Sequence, residues 1–339
     1  MMETLLKVEG LKTHIHTPEG VVRAVDGVDF EINKGEIVGI IGESGCGKSM
    51  TALSILQLLP PQAKVSGEIL YQGNDLLKYS PSQMRKIRGK GISMIFQDPV
   101  TSLNPVFTVG NQICEAITLH QKINQKATVE KAIEMLRLCG LPSPEEQFKR
   151  YPHQLSGGMN QRIMIAMSLV THPEILIADE PTTALDVTIQ AQILDLIQHL
   201  QSKLTMSVLL ITHDLSIISA ITKRVIIMYA GKVVEYARTN QIFTADRNPA
   251  FTLLHPYTRG LINSVPTIDF TVAKDEAPSL IPASKRLNTI PGVVPNPMDI
   301  LAGCRFHPRC PNAVQVCREV EPEIRLHGED HGIRCFEVQ

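Results

Sequence analysis

Eight consecutive residues, Gly42, Glu43, Ser44, Gly45, Cys46, Gly47, Lys48 and Ser49, satisfy G-x-x-x-x-G-K-[ST] directly after an apolar run and directly before a helical one. That context marks a phosphate-binding loop. Glycines let successive backbone N–H groups curl round an anion without Cβ clashes, and the positive end of the following helix points at it. Lys48 is placed for the β/γ-phosphates, with a pair attraction of roughly 4 kcal/mol at 4 Å and an effective dielectric near 20. Ser49 would ligate Mg²⁺. Cys46 occupies a variable position and reads as a small side chain. The complementary chemistry is Asp179-Glu180, at the end of the apolar run Ile175 to Ala178. Asp179 can reach the metal shell, and Glu180 is the candidate to orient or deprotonate an attacking water. His213, after another apolar run, is in place to meet the γ-phosphate from a different side.

A further anion site opens the helix that begins at Leu155-Ser156-Gly157-Gly158. With Ser156 as N-cap, two glycines fall in the first turn, each costing about 0.8–1 kcal/mol against Ala in a helix interior. Something must approach that backbone closely. One copy of the chain therefore carries more phosphate binders than one ATP requires.

Several elements must position these groups. Leu5 to Thr13 and Val21 to Ile32 have partly alternating, β-branched patterns, as expected of half-exposed antiparallel strands. Glu36 to Ile41, Glu174 to Ala178 and Ser207 to Ile211 are short continuous apolar runs, the mark of strands buried on both faces. A helix is expected from Lys48 to Leu59, ended by Pro60-Pro61. From about residue 100 to 158 the period turns helical, with Val109, Ile113, Ala116 and Ile117 on one face and Val129, Ile133 and Leu136 on another. Arg224 to Tyr236 reads as a hairpin turning at Ala230-Gly231. Strand, loop, helix and further buried strands make a parallel α/β sheet with an antiparallel flank and a helical insertion. Six of the 22 prolines, Pro266, Pro278, Pro282, Pro291, Pro295 and Pro297, then oppose long helices and central strands.

Composition sets the outer limits. The 339 residues are about 2.3 times the usual 150-residue domain, and 43% hydrophobic with 20% charged residues is ordinary globular matter. With 33 basic against 34 acidic side chains the net charge is -1, so the electrostatic footprint of duplex DNA binding is missing and no nucleic-acid partner is expected. The first residues lack a basic segment followed by an apolar stretch, and no window reaches 18 consecutive apolar residues, so a non-exported, non-spanning protein is expected. Seven cysteines fit a reducing compartment better than a disulfide framework.

Taken in order, Gly42 to Ser49, Gln97, Leu155 to Gly158, Asp179-Glu180, Ala184 to Asp186 and His213 resemble the nucleotide-binding subunit of an ABC transporter, over roughly residues 5–262. The resemblance implies a P-loop NTPase fold in which two cassettes pair head to tail. Each ATP is then closed between the phosphate loop of one and Ser156, Gly157 and Gly158 of the other, which accounts for the surplus binder. It implies Gln97 as a contact to Mg²⁺ and the attacking water, Glu180 as catalytic base, His213 as switch histidine and Asp186 as a link across the dimer, with Ser49, Gln97 and Asp179 around Mg²⁺. The sequence departs from the family at Met159, where Gln is usual, and at Ile15, where an aromatic normally stacks on adenine.

The runs Phe96 to Pro105, Tyr151 to Gly158, Asp179 to Gln192 and His255 to Thr258 are similar to the ATP-binding subunits of bacterial dipeptide and oligopeptide importers. That likeness implies a second, similar or identical ATPase subunit, two membrane permeases and an extracytoplasmic solute-binding protein, with this chain peripheral on the cytoplasmic face of the cell (inner) membrane. Relatives carrying nickel, opines or glycosides are the alternative, and a soluble ABC ATPase acting on DNA or ribosomes is the rival from another class.

Four thiols, Cys304, Cys310, Cys317 and Cys335, fall within 32 positions, against three cysteines in the preceding 303. Four thiolates suit zinc or an iron–sulfur cluster, or the thiols stay unligated or form disulfides; the resemblance favours a 4Fe-4S cluster. The expected division is an ABC ATPase domain over 1–262 with a helical subdomain at about 100–158, a Pro-rich linker over 263–300, and a small cysteine-rich, metal-binding region over 301–339.

Overall fold

A computed structural model describes residues 3–98, 102–183, 185–243, 253–264, 289–299, 301–328 and 330–338. Two long strands, β1 (Thr4–Thr17) and β2 (Gly20–Asn33), pair antiparallel, and β4 (Ala63–Tyr71) and β5 (Asn74–Asp75) later join them in the order β2-β1-β4-β5. Between these lie β3 (Ile37–Ile41), buried along its whole length, and α1 (Lys48–Ile55). The helix is shorter than its apolar pattern suggests. Gln57 turns left-handed at φ 50, and the Arg88 guanidinium donates to the carbonyls of Leu56 and Gln57 at 2.8 and 2.9 Å, acceptors that a helix end leaves open.

After α2 (Pro81–Ile87) and β6 (Ile92–Ile95) come three helices, α3 (Val109–His120), α4 (Gln125–Leu138) and α5 (Pro144–Gln147). Then follow α6 (Gly157–Leu169), β7 (Ile175–Asp179), α7 (Val187–Leu204), β8 (Ser207–Ile211), α8 (Leu215–Ile221) and the hairpin β9 (Arg224–Tyr229) and β10 (Lys232–Arg238). Beyond α9 (Thr239–Phe243), α10 (Pro256–Asn263) and α11 (Val316–Glu319), the strands β11 (Arg325–Leu326) and β12 (Gly332–Ile333) are the last elements of the described chain.

Among the described residues the second sheet has the order β11-β12-β10-β9-β3-β8-β7-β6, with β9, β3, β8, β7 and β6 mutually parallel. Its two faces divide the core. Ile175 and Ile177 pack with α1 and the antiparallel sheet, whereas Leu176 and Ala178 pack with α6 and α7. A period of two with both faces covered demands the continuous apolar run that the sequence supplies.

Helix α3 buries Val109, Ile113 and Ile117 as its pattern predicts. Helix α4 instead buries Thr128, Ala132, Met135 and Leu136, leaving Val129 and Ile133 half-buried. Two adjacent stripes both have helical spacing there, and packing against α3 and α6 selects the one turned by a residue. The hairpin turns at Ala230 (φ 45) and Gly231 (φ 80), and the Gly231 N–H donates to Cys46 O at 2.9 Å, so this turn abuts the glycine loop. Pro266, Pro278 and Pro282 lie outside the described residues, while Pro291, Pro295 and Pro297 sit in a segment with neither helix nor strand.

The C-terminal tail continues the large sheet: β12 pairs antiparallel with β10, setting Glu235 opposite Ile333 and Tyr236 opposite Gly332. Fully buried Glu235 anchors it. One carboxylate oxygen accepts from the His255 N–H at 3.0 Å and from Thr258 Oγ1, and the other lies 2.8 Å from His331 Nε2.

His255 caps α10 by accepting the Tyr257 N–H at Nδ1, and burial, with the Arg259 charge adding, lowers its pKa to about 3. In the unfolded chain this imidazole titrates near 6.5. Between those values the unfolded state binds the extra proton, so stability falls as pH falls through the window. Urea unfolding at pH 7 and pH 5 should show about 2 kcal/mol lost from this group, and a smaller loss for His255→Asn; equal losses would acquit His255.

Candidate functional site

The junction of β3 and α1 forms a loop whose glycines are sterically required. A Cβ on Gly42 would collide with the carbonyl of Met228 and with Cys46 Sγ, and one on Gly47 (φ 103) with the carbonyl of Ala24. Gly45 (φ 78) faces open space with nothing within 4 Å, and Gly47 begins α1 without a side-chain cap. The amides of the first helical turn are therefore left for another acceptor.

Lys48 is folded back across this loop, its Nζ donating to Gly42 O at 2.7 Å and Glu43 O at 3.1 Å. Cys46 is fully buried, and burial pushes its thiol up, in keeping with a packing role. Ser49 Oγ donates to Asp179 Oδ1 at 3.1 Å, tying the start of α1 to the end of β7. Burial holds the Asp179 carboxyl above the usual carboxylate range, with the Glu180 charge adding and Ser49 and Lys48 opposing.

Glu180 follows in a left-handed conformation (φ 46), its N–H donating to Ile211 O at 2.8 Å. Such a non-glycine conformation costs on the order of 1–3 kcal/mol and clusters at functional sites. Its Oε2 accepts from Gln97 Nε2 at 3.1 Å and from Thr183 Oγ1 at 2.9 Å, while Oε1 lies 3.4 Å from His213 Nδ1. Gln97, Glu180 and His213 follow the carboxyl ends of β6, β7 and β8, three adjacent parallel strands, where open α/β sheets place their ligands.

Ser156 and Asp186 stand apart from this cluster, and among the described residues neither hydrogen-bonds to the loop. Ser156 Oγ accepts the Met159 N–H at 3.3 Å as N-cap of α6, Gly157 faces open space, and Gly158 is close-packed: a Cβ there would sit 3.1 Å from Ile189. Asp186 is exposed and caps α7 through the Ile189 N–H at 2.9 Å, ahead of Val187, which is 82% exposed. Ala184 lies outside the described residues.

Three further residues hold the site without a chemical pattern of their own. Thr183 holds Glu180, the Tyr257 hydroxyl accepts the Glu43 N–H at 2.9 Å across 214 positions, and Arg309 grips the Glu43 carboxylate across 266. No local pattern flags Tyr257 and Arg309, whose partner is so remote.

The expected metal site at Cys304, Cys310, Cys317 and Cys335 is corrected by the structure. All four thiols are free and line one small cavity with His255, Phe306 and Phe336, yet among the described residues no group of three or more His, Cys, Asp or Glu side chains is set to hold an ion. Burial raises the Cys304 thiol to about 11 and pushes Cys310 and Cys335 up as well. The expectations of iron–sulfur, of zinc and of metal binding by this region are withdrawn together.

Residues 25–183 match the family described as "ABC transporter", and residues 234–317 match "Oligopeptide/dipeptide transporter, C-terminal region". The chain is 48% identical to the dipeptide transport ATP-binding protein DppD of Bacillus subtilis, over 99% of this chain and 95% of that one. It is 46% identical to the oligopeptide transport ATP-binding protein AppD of the same species, over 99% and 97%. Among solved structures, the dimeric post-hydrolysis state of the ATP-binding cassette MJ0796, bound to ADP and Pi, superposes with a TM-score of 0.62 at 27% identity, over 69% of this chain and 98% of that one.

Gly47→Ala tests the loop directly. The forced overlap with Ala24 and the positive φ should displace the loop and weaken binding of a fluorescent nucleotide at least tenfold while the fold, followed by circular dichroism, persists; undiminished binding would contradict the packing argument.

Proposed function

The chain belongs to the ATP-binding proteins of the dipeptide and oligopeptide ABC transporters, and we propose that it serves as one of two ATPase subunits in a bacterial importer, coupling ATP hydrolysis to uptake of di- or oligopeptides through partner permeases. The observation that carries this is the Glu180 carboxylate, held between Gln97 and His213 beside a preformed phosphate loop. The relatives' names supply the peptide class, and they favour it over nickel, opines or glycosides. A single copy of each motif and a net charge of -1 disfavour a soluble ATPase acting on DNA or ribosomes.

On this reading Gly42, Glu43, Ser44, Gly45, Cys46, Gly47, Lys48 and Ser49 wrap the phosphates, and Lys48 exchanges the carbonyls of Gly42 and Glu43 for phosphate oxygens. The oxygen donors Ser49 and Asp179, already 3.1 Å apart, fit Mg²⁺, which they would hold with Gln97 and which would neutralise charge on the phosphates. Glu180 accepts the proton of the attacking water, released for that purpose from its present partners. His213, whose side chain is 67% exposed, meets the γ-phosphate. Ser156, Gly157 and Gly158 present a bare helix start to the ATP of the opposite subunit, and Asp186 links the two. ATP then favours the closed pair because its γ-phosphate bridges both subunits only there.

The assembly proposed comprises this chain, a second ATPase subunit, two permeases and a solute-binding protein. The chain is peripheral at the cytoplasmic face of the membrane; no helix among the described residues is long and apolar enough to cross it. Exposed Phe96, Phe107 and Tyr151 flank Gln97 and the helical segment in the chain and supply apolar surface for a permease. We assign residues 1–262 to the ATPase domain with its helical subdomain at about 100–158, 263–300 to a linker and 301–339 to a C-terminal region.

Glu180→Gln should leave ATP affinity within threefold of the parent and lower turnover by about 10²–10⁴, trapping the closed dimer, which sedimentation will detect. Normal turnover would remove Glu180 from the chemistry. Copurification from detergent extracts should bring down permease subunits that support peptide uptake; recovery of ribosomes or DNA in their place would overturn the importer assignment.

A further inference from the structure

The Arg309 guanidinium comes from the short turn His307–Arg309 in the C-terminal tail and is 6% exposed. All five of its N–H donors are engaged. Nη1 donates to Glu43 Oε2 at 2.6 Å and to the Tyr229 hydroxyl at 3.4 Å, Nη2 to Glu43 Oε1 at 3.0 Å and to Ile290 O at 3.3 Å, and Nε to Pro291 O at 2.8 Å. Its carbon centre stands 5.8 Å over the Tyr229 ring, which packs edge-on against Tyr257 and Phe306.

Glu43 is thus held twice by residues far along the chain: its carboxylate by Arg309 and its backbone N–H by Tyr257. The same residue's carbonyl accepts from Lys48 and from the Cys46 N–H, so its placement sets the curl of the loop. A two-pronged arginine–carboxylate pair fixes both distance and orientation, which a lysine cannot reproduce. It also cancels a negative charge that stands in a loop built to receive a triphosphate.

We propose that Arg309 is a positioning residue of the nucleotide site: by clamping and neutralising Glu43 it shapes the phosphate loop, so that tight ATP binding depends on the C-terminal tail. This rests on the reading above that the loop binds ATP. Guanidinium placement enters through affinity for the anion, not through the attacking water.

The test uses the full chain for equilibrium binding of ATP and the assembled complex for steady-state ATPase kinetics. Arg309→Ala should raise the ATP Kd and KM about tenfold, equivalent to about 1.4 kcal/mol, with kcat changed less than twofold. Adding Glu43→Ala to that variant removes the stranded carboxylate and should recover the part of the lost affinity that its unpaired charge costs. A purely structural anchor predicts a lower Tm with Kd unmoved and no recovery in the double variant, and either result overturns the proposal. Should Arg309→Ala fail to fold, Arg309→Lys keeps charge and stem but loses the fork; a three- to fivefold rise in Kd supports the proposal and an unchanged Kd overturns it. If the parent chain itself does not bind ATP, both this inference and the ATPase reading fall; if it binds and the variants match it, only this inference does.

Discussion

Backbone amides can enclose an anion only where no side chain separates the turn from the wall behind it. In this protein the walls are the carbonyls of Met228 and Ala24, on β9 and β2, pressed against Gly42 and Gly47. Those strands belong to different sheets, so the loop takes its shape only after both sheets have assembled around α1. The hairpin turn at Ala230-Gly231 completes the backing through its bond to Cys46 O. The shape of the glycine loop is therefore a product of tertiary packing, although its motif is eight residues long.

The acidic half of the site obeys a different constraint. Parallel strands end at one rim of the sheet, and the residues just past β6, β7 and β8 are brought together there irrespective of their distance in sequence. Glu180 reaches its neighbours by adopting a backbone conformation that most residues avoid. Its N–H bond to Ile211 O in the next strand offsets part of that strain. Asp179, one position earlier, stays buried on the strand and meets Ser49. Adjacent acids are thus given separate surroundings by one turn of the chain.

Much of this was legible because it is written at short range. The glycine loop, the buried strands and the Ser156 cap each follow from residue type and local period. What escaped detection depends on partners rather than on pattern. Two stripes on α4 had the right spacing, and only the neighbouring helices chose between them. The end of α1 is set by Arg88, 32 positions from Leu56. Tyr257 and Arg309 meet Glu43 through a fold that no local window encodes. The four clustered cysteines misled for a related reason: spacing counts positions, whereas ligation depends on how side chains are set in space, and among the described residues no group of three or more is set to hold an ion.

The pairing of β12 with β10 has a consequence for how the protein behaves in a crowded solution. β10 offers seven residues of unpaired backbone along one side unless another strand covers it. Two-residue strands from the tail lie over that border, β12 pairing with Glu235 and Tyr236 and β11 with β12, so the outermost strand is a short one, as sheets that avoid foreign pairing keep theirs. The tail accordingly gives the large sheet a border made of its own last strands.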